Sequence, residues 1–413
     1  MDELFERFFD RYLNRTEVAY RLPLEIDRSR FWAELTRQRQ SGGRSLPLPD
    51  QSGTLFWYSH TRELQANLDQ IEQLCGRRVF NASPDQIRSS AILDALIDEA
   101  MSSSIIEGAF SSKKRTQEMI QRNRNPASLD EQMIVNNFRA LQFILEHLNQ
   151  PIDETMLLAV YRILTAHTLA PEDQTDTYRD DAVIIWDHTT QRQVYEAPKA
   201  SEVRRMMDLL FQFIHGPDDL HPFIKSCVIH FYLVYVHPFF DGNGRTARAI
   251  SHMYLLQQGY DIFKFFSISS VIREEKARYY KSIQDTEENE SDLTYFLHYC
   301  TEMIIRSIRG MIHRFEIEYR RRVITMYIRA ADLRLSERQQ RSVSFFLKHD
   351  DAEISIDQYA KKYKVSYETA RGDLVGMERA GLLVRSRTGR KHVFRLHTLE
   401  DLLGIEQVLS VLH

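Results

Sequence analysis

Residues 237–248 read HPFFDGNGRTAR. One short corner therefore holds an imidazole (His237), a carboxylate (Asp241) and two guanidiniums (Arg245 and Arg248). Pro238 and the Gly242-Asn243-Gly244 turn make a sharp connection between two helices. The N–H groups that open the second helix, with glycines allowing close approach, form an anion site. Arg245 and Arg248 are three apart and share a face, and two guanidiniums beside a helix N-terminus suit a polyphosphate. Asp241 offers an oxygen ligand for Mg²⁺, which travels with nucleotide phosphates. An imidazole with an ordinary pKa of about 6.5 suits a general base near neutrality. Together these groups describe a phosphate-transfer site.

Such a corner needs rigid elements around it. Residues 222–236 are apolar nearly all round, as in a central buried helix, and lead directly into His237. A helix from near Asn243 to Gln258 follows, with Gly259 as its stop. In 92–101 the apolar residues Ile92, Leu93, Leu96, Ile97, Ala100 and Met101 form a helix stripe. Ser128 is placed to cap a helix over about 129–148, and further helical patterns cover about 153–168, 199–214, 268–284 and 291–330. The exception is 181–198, where AVIIW and QVY flank a polar tract and predict a β-hairpin.

The corner resembles the signature of the Fic family, HPFx(D/E)GNGRxxR, at every fixed position: His237, Pro238, Phe239, Asp241, Gly242, Asn243, Gly244, Arg245 and Arg248. The resemblance runs over about 90–300, including His230 in the preceding helix and LLQQGY at 255–260. It implies a mainly α fold, a Fic-type helical bundle with a β-hairpin flap. It also implies transfer of AMP from ATP, with Mg²⁺, to a Ser, Thr or Tyr hydroxyl of a target protein or of the chain itself. In that reading His237 is the base and Asp241 holds the metal. Gly242, Asn243, Gly244, Arg245 and Arg248 bind the phosphates. Val183, Ile184 and Ile185 are the flap residues that dock the target. Tyr279 and Tyr280 stand at the family's paired tyrosines on the adenine side, although the stretch after them reads DTEE where the family often has an Asn.

A second motif, SSSIIEG (102–108), closes a helix. A carboxylate in a last turn opposes the helix dipole and calls for a cationic partner. The stretch is similar to the (S/T)xxxE(G/N) inhibitory motif of Fic proteins. By that resemblance Ser103, Glu107 and Gly108 form a brake in which Glu107 pairs with Arg248 and obstructs the γ-phosphate. Transfer of UMP, phosphate or phosphocholine, removal of AMP, and a DNA-binding regulator with a nucleotide-sensing Fic-like domain are the alternatives. The Arg245/Arg248 pair and the GNG turn favour AMP.

Residues 355–396 pattern as helix, turn, a second helix capped by Ser366, and a hairpin, which looks like a winged helix-turn-helix. Arg379, Arg385, Arg387, Arg390, Lys391 and Arg395 cluster near its second helix and wing, where DNA phosphates are the matching partner, while Arg371 and Asp373 are placed to pair with each other. A second copy of the chain is the other candidate partner. The division expected is 1–85 as an N-terminal helical region with a Gly/Pro/Ser-rich linker near 40–53, 86–330 as the catalytic domain with its inhibitory helix at 90–108, and 335–413 as the winged helix. The chain has 413 residues, a formal net charge of −4 and three isolated cysteines, Cys75, Cys227 and Cys300. That excludes a global field for nucleic acid or membrane and a disulfide framework. The apolar run at 228–236 is too short to span a bilayer, and no signal-peptide pattern opens the chain, so the cytoplasm is the expected address.

Overall fold

The computed structural model describes residues 2–76, 85–187, 192–330, 332–349, 352–389 and 391–397. The chain divides into two compact units, Met1–Arg309 and Gly310–His413.

The first unit is built on α10 (Pro222–Val236), whose residues are buried on every side. Side by side with it lies α11 (Asn243–Gln257), also largely buried. Around this pair come α5 (Asp85–Ile106), α7 (Leu129–Glu146), α8 (Glu154–Thr165) and α9 (Ala200–His215). The predicted span 268–284 is two helices, α12 (Ile268–Glu274) and α13 (Lys276–Glu288), broken at Glu275 (φ −124°). Ser128 caps α7 by accepting from Glu131 N, and Gly259 follows α11 at φ +85°.

The N-terminal segment departs from expectation. Residues 40–53 are not a linker: β1 (Gly43–Pro49) pairs antiparallel with β2 (Leu55–Ser59). In β1, Leu46 and Leu48 alternate with Pro47 and Pro49, and both leucines are buried. The prolines fit because β1 pairs with a strand on one side only. That edge is used: Tyr232 of α10 donates to Pro49 O (3.0 Å), and Gln51 N donates to the Tyr235 hydroxyl (2.9 Å). Phe56 of β2 packs edge-on against Phe231 and Tyr235. Nor is 1–85 a separate region. α1 (Asp2–Arg11), α2 (Arg15–Arg21) and α3 (Arg28–Ser41) are tied to the end of α13 and the loop after it. Tyr12 donates to Asp292 (2.6 Å), Asn14 to Asp285 (2.9 Å), and Arg15 N to Asn289 (3.0 Å). Leu48 tests the point. Its truncation to Ala is expected to cost about 2–5 kcal/mol, the range for a buried leucine, read from denaturant unfolding. A linker residue would be silent.

The second boundary also moves, from 335 to 310. The long helix α14 (Thr294–Ala330) passes through it. Its Val323, Ile324 and Tyr327 belong to the core of the second unit, with Phe346, Tyr359, Leu374 and Phe394. The composition shift at 334–341 marks only the turn into α15 (Glu337–Lys348). Then follow β5 (Ile354–Ser355), α16 (Ile356–Tyr363), α17 (Tyr367–Arg379), β6 (Leu383–Thr388) and β7 (Lys391–Leu396). The three strands form one antiparallel sheet in the order β5-β7-β6. Ser366 caps α17 as expected. Arg371 and Asp373 do not pair with each other: Asp373 faces inward and takes Arg338 (2.5 Å) and the Tyr359 hydroxyl (3.2 Å), while Arg371 is exposed.

Candidate active site

His237 ends α10 in a left-handed conformation (φ 51°, ψ 60°), with its N–H still bonded to Leu233 O. The ring is half-buried, and Nδ1 lies 3.2 Å from Val234 O. That carbonyl can only accept, so a neutral ring keeps its proton on Nδ1 and a lone pair on Nε2. Burial pushes the His237 pKa down to about 4, against a smaller upward pull from the Val234 carbonyl and from Glu107. The imidazole is therefore neutral at neutral pH, with Nε2 able to accept a proton.

The turn after it is locked from inside. Asn243 Oδ1 accepts from Phe239 N (2.9 Å), and its amide donates back to Phe239 O (2.7 Å). The Phe239 ring stacks on Tyr161 of α8, centroids 3.6 Å apart. Asn243 is thus consumed by the loop, and its buried side chain does not cradle a ligand. Gly242 sits at φ +81°, and a Cβ there would come 2.9 Å from Thr165 Cγ2. The N-cap of α11 is this glycine, so no side chain caps the helix. The opening N–H groups of α11 are left for a ligand.

The two arginines do not form one clamp. Arg245 is fully buried, donating to Leu164 O (3.3 Å) and to Asp241 Oδ2 (2.9 Å). Without accessible surface it meets no phosphate in this conformation, and it reaches the site by holding Asp241. Arg248 turns toward α5. Its Nε donates to Ser103 Oγ (2.9 Å), and Nη2 donates to Ser103 O (2.9 Å) and Glu107 Oε1 (2.8 Å). Its buried Nη1 has no partner among the described residues. Glu107 lies just beyond the last turn of α5, and Gly108 follows at φ +99°. The carboxylate crosses the N-terminus of α11 so closely that a Cβ on Gly244 would stand 2.1 Å from Glu107 Oε1. Glu107 thus occupies the space where an anion would meet the helix opening.

Two further residues hold these parts, and neither carries a signal in the sequence. Glu99, two turns up α5, is buried and accepts from Ser267 Oγ (2.7 Å) and Ser269 N (3.0 Å) at the start of α12. It fixes the helix that carries Glu107. Arg179 is also buried, and every acceptor it finds is a main-chain carbonyl: His237 (2.7 Å), Asp181 (2.7 Å), Pro198 and Val236 (3.4 Å). Its own N–H donates to Pro238 O (2.9 Å). A charged residue amid TYRDDAV has no pattern that announces such a role.

The predicted hairpin is present as β3 (Ile184–Asp187) and β4 (Arg192–Glu196), with Ile185 opposite Tyr195. The turn at 188–191 lies outside the described residues. Val183 O accepts from Ala197 N (3.1 Å) at its base, and Ile184 is exposed. The sheet has two strands, so β3 keeps an unpaired edge among the described residues. Tyr195 donates to Tyr235 O (2.6 Å), seating the hairpin on α10. The paired tyrosines separate. Tyr279 is a core residue, its hydroxyl 3.0 Å from His230 Nε2. Tyr280 is exposed and within electrostatic reach of Glu107 and Arg248. In the stretch after them, burial pushes the Glu287 carboxyl up to about 8.

No group of three or more His, Cys, Asp or Glu side chains placed to hold a metal ion occurs among the described residues. Asp241 is exposed at the turn, one oxygen against Gly242 N (2.6 Å). A cation held by one carboxylate must draw its other ligands from phosphate and water. That fits Mg²⁺ arriving with a nucleotide.

This geometry has counterparts. Residues 151–255 match the model of the Fic/DOC family. The chain carries a Fic domain. It is 24% identical over 254 residues to the protein adenylyltransferase Fic of Nematostella vectensis, covering 58% of this chain and 55% of that protein. It is 26% identical over 271 residues to the protein adenylyltransferase Fic of Drosophila erecta, covering 62% and 51%. The chain thus spans about half the length of the relatives it matches. Among solved structures, a Fic family protein from Desulfovibrio desulfuricans aligns over 82% of this chain and 97% of its own, with a TM-score of 0.54 and 20% identity. A Fic domain containing signaling protein from Bacteroides thetaiotaomicron aligns over 61% and 96%, with a TM-score of 0.50 and 17% identity. These two share the fold.

Proposed function

We propose that the chain is a protein adenylyltransferase held inactive by Glu107. It transfers AMP from ATP to a Ser, Thr or Tyr hydroxyl of a target protein. The observation that carries the reading is the pairing of a base-competent imidazole with an uncapped helix opening beside which the buried Arg248 keeps its Nη1 unpartnered among the described residues.

The Nε2 lone pair of His237 takes the proton of the target hydroxyl. The oxygen attacks the α-phosphorus, and the new P–O bond forms as the bond to the bridging oxygen breaks. Pyrophosphate leaves with that electron pair. The opening N–H groups of α11 and Arg248 stabilise the charge that shifts onto the phosphates. Asp241 is the residue that would hold Mg²⁺, which when bound neutralises phosphate charge. The unpaired edge of β3 pairs with the target backbone and registers its hydroxyl without demanding a sequence. Glu107 occupies the anion space and one face of Arg248, so ATP binds in a pose unsuited to transfer.

The test is labelling of a cell lysate with labelled ATP and Mg²⁺ by the wild type, Glu107→Gly and His237→Ala. Mass spectrometry identifies the group added. A mass other than AMP, or no label with Glu107→Gly, refutes the assignment.

The second unit supports a separate reading as a winged helix that binds duplex DNA. Residues 352–397 hold ten Lys/Arg against five Asp/Glu in a chain whose net charge is −4. Arg371 and Arg379 on α17 and Arg387 on β6 are exposed. The expected result is a gel shift with duplex DNA that weakens steeply with salt and weakens further in an Arg371→Ala/Arg387→Ala double variant. No shift at low salt refutes it. Among the described residues no helix is long and apolar enough to cross a membrane.

A further inference from the structure

We propose that Arg179 is a positioning residue that sets the distance between the His237 imidazole and the strand on which the target lies, an inference that rests on the reading of His237 as base and of β3–β4 as docking hairpin.

One guanidinium joins three parts of the chain. Its Nε holds the carbonyl of His237, and Nη2 reaches that of Val236, the last residue of α10. These are carbonyls that a helix end leaves without partners, and a cation there also suits the negative end of the helix dipole. Nη1 holds Asp181 O, where the chain enters the hairpin, and Nη2 also holds Pro198 O, where it leaves. The main-chain bond from Arg179 N to Pro238 O grips the other side of the same histidine. The left-handed turn at His237 and both feet of the hairpin are therefore fastened to one planar group.

The chemistry of the group matters. A guanidinium presents donors in a fixed fork, and its orientation sets all its acceptors at once. A lysine has the charge but a single flexible point of donation. Among the described residues no carboxylate bonds the buried guanidinium, although Asp181 acts on it at longer range: each bonded acceptor is a carbonyl of the elements being held. A residue serving only the core would not need acceptors on the base and on both hairpin feet. Misplacement of reacting groups by an ångström is enough to cost about 100-fold in rate. The anion site, by contrast, is formed by the opening N–H groups of α11 and by Arg248, none of which Arg179 contacts through these bonds.

The experiment uses the full chain carrying Glu107→Gly, with Arg179, Arg179→Lys or Arg179→Met. ATP affinity is measured by calorimetry. Transfer is measured as label from ATP on the chain itself and on lysate proteins, at saturating ATP. Arg179→Met is expected to bind ATP within about twofold of its parent and to lose about 100-fold in transfer. Arg179→Lys, which keeps the charge and folds where Met fails, is expected to recover only part of that rate. Transfer within threefold of the parent in the Lys variant overturns the proposal. So does a loss of ATP affinity that matches the loss of rate, since that is damage to the fold. If the parent with Arg179 intact does not transfer AMP, the assigned function fails, and with it the basis of the proposal.

Discussion

Glu107→Gly raises AMP transfer about 10- to 100-fold: this is the expected result of removing one carboxylate from the opening of α11. Hydrogen bonds to charged groups contribute about 1.5–3 kcal/mol, which sets that range. Arg248 does not lose its place with Glu107, because Ser103 still holds it through Nε and Nη2. It gains a second face free for phosphate, beside the Nη1 that already lacks a partner. The nest also gains room, since Glu107 Oε1 fills the space directly over Gly244. Two controls separate charge from bulk. Glu107→Gln keeps the volume and is expected to give a smaller gain than glycine. Arg248→Ala in the Glu107→Gly chain is expected to lose ATP affinity and transfer together. Labelling of lysate proteins at fixed ATP and Mg²⁺ reads transfer in all three, and calorimetry reads ATP affinity. A rate for Glu107→Gly equal to or below wild type ends the brake hypothesis.

His237→Ala is expected to lower transfer by about 10²–10⁴-fold, the usual contribution of a positioned general base, while ATP binding persists. The acid side of the pH profile gives an independent check. Burial disfavours the charged ring and brings His237 to about 4. The base is therefore deprotonated through the whole range above, and the rate should stay on a plateau below pH 6.5, falling only as pH approaches 4. The charges of Glu107 and Asp241 pull the other way. Removing Glu107 should thus shift the limb further down. The linked effect on stability has the same sign: a histidine held neutral contributes stability above its unfolded pKa of about 6.5, which is lost as pH falls toward 4. The check is single-turnover transfer between pH 4.5 and 8 in the Glu107→Gly chain. A limb centred near 6.5 would show that burial does not hold the ring neutral.

Local signals placed much of this protein. Continuous apolar character located α10, because the all-round apolar run is bounded by Pro222 and His237. Capping chemistry placed Ser128 and Ser366. The hairpin at 181–198 stood out because β-branched and aromatic runs on either side of a polar tract suit two paired strands and break the helical period around them. Failure came where composition masked period. Leu46 and Leu48 alternate as a strand should, but the prolines between them read as a linker until the sheet edge that tolerates them is known. The helix through 294–330 crosses a unit boundary that charge and turn residues place some twenty-five residues too late, since a helix carries no mark for the change of core.

The amino-acid order alone determined which groups stand in the corner at 237–248 and that a carboxylate follows Ser103 by one helical turn, because spacing along a helix is a local property. Only the tertiary structure decided what each group touches. It sent Arg245 inward to Asp241 and Arg248 across to Ser103 and Glu107, although the two are neighbours on one helix. It also made Arg179 the meeting point of His237 and the hairpin. Buried donors must find acceptors or cost free energy, and which acceptors are in reach depends on how separate segments pack.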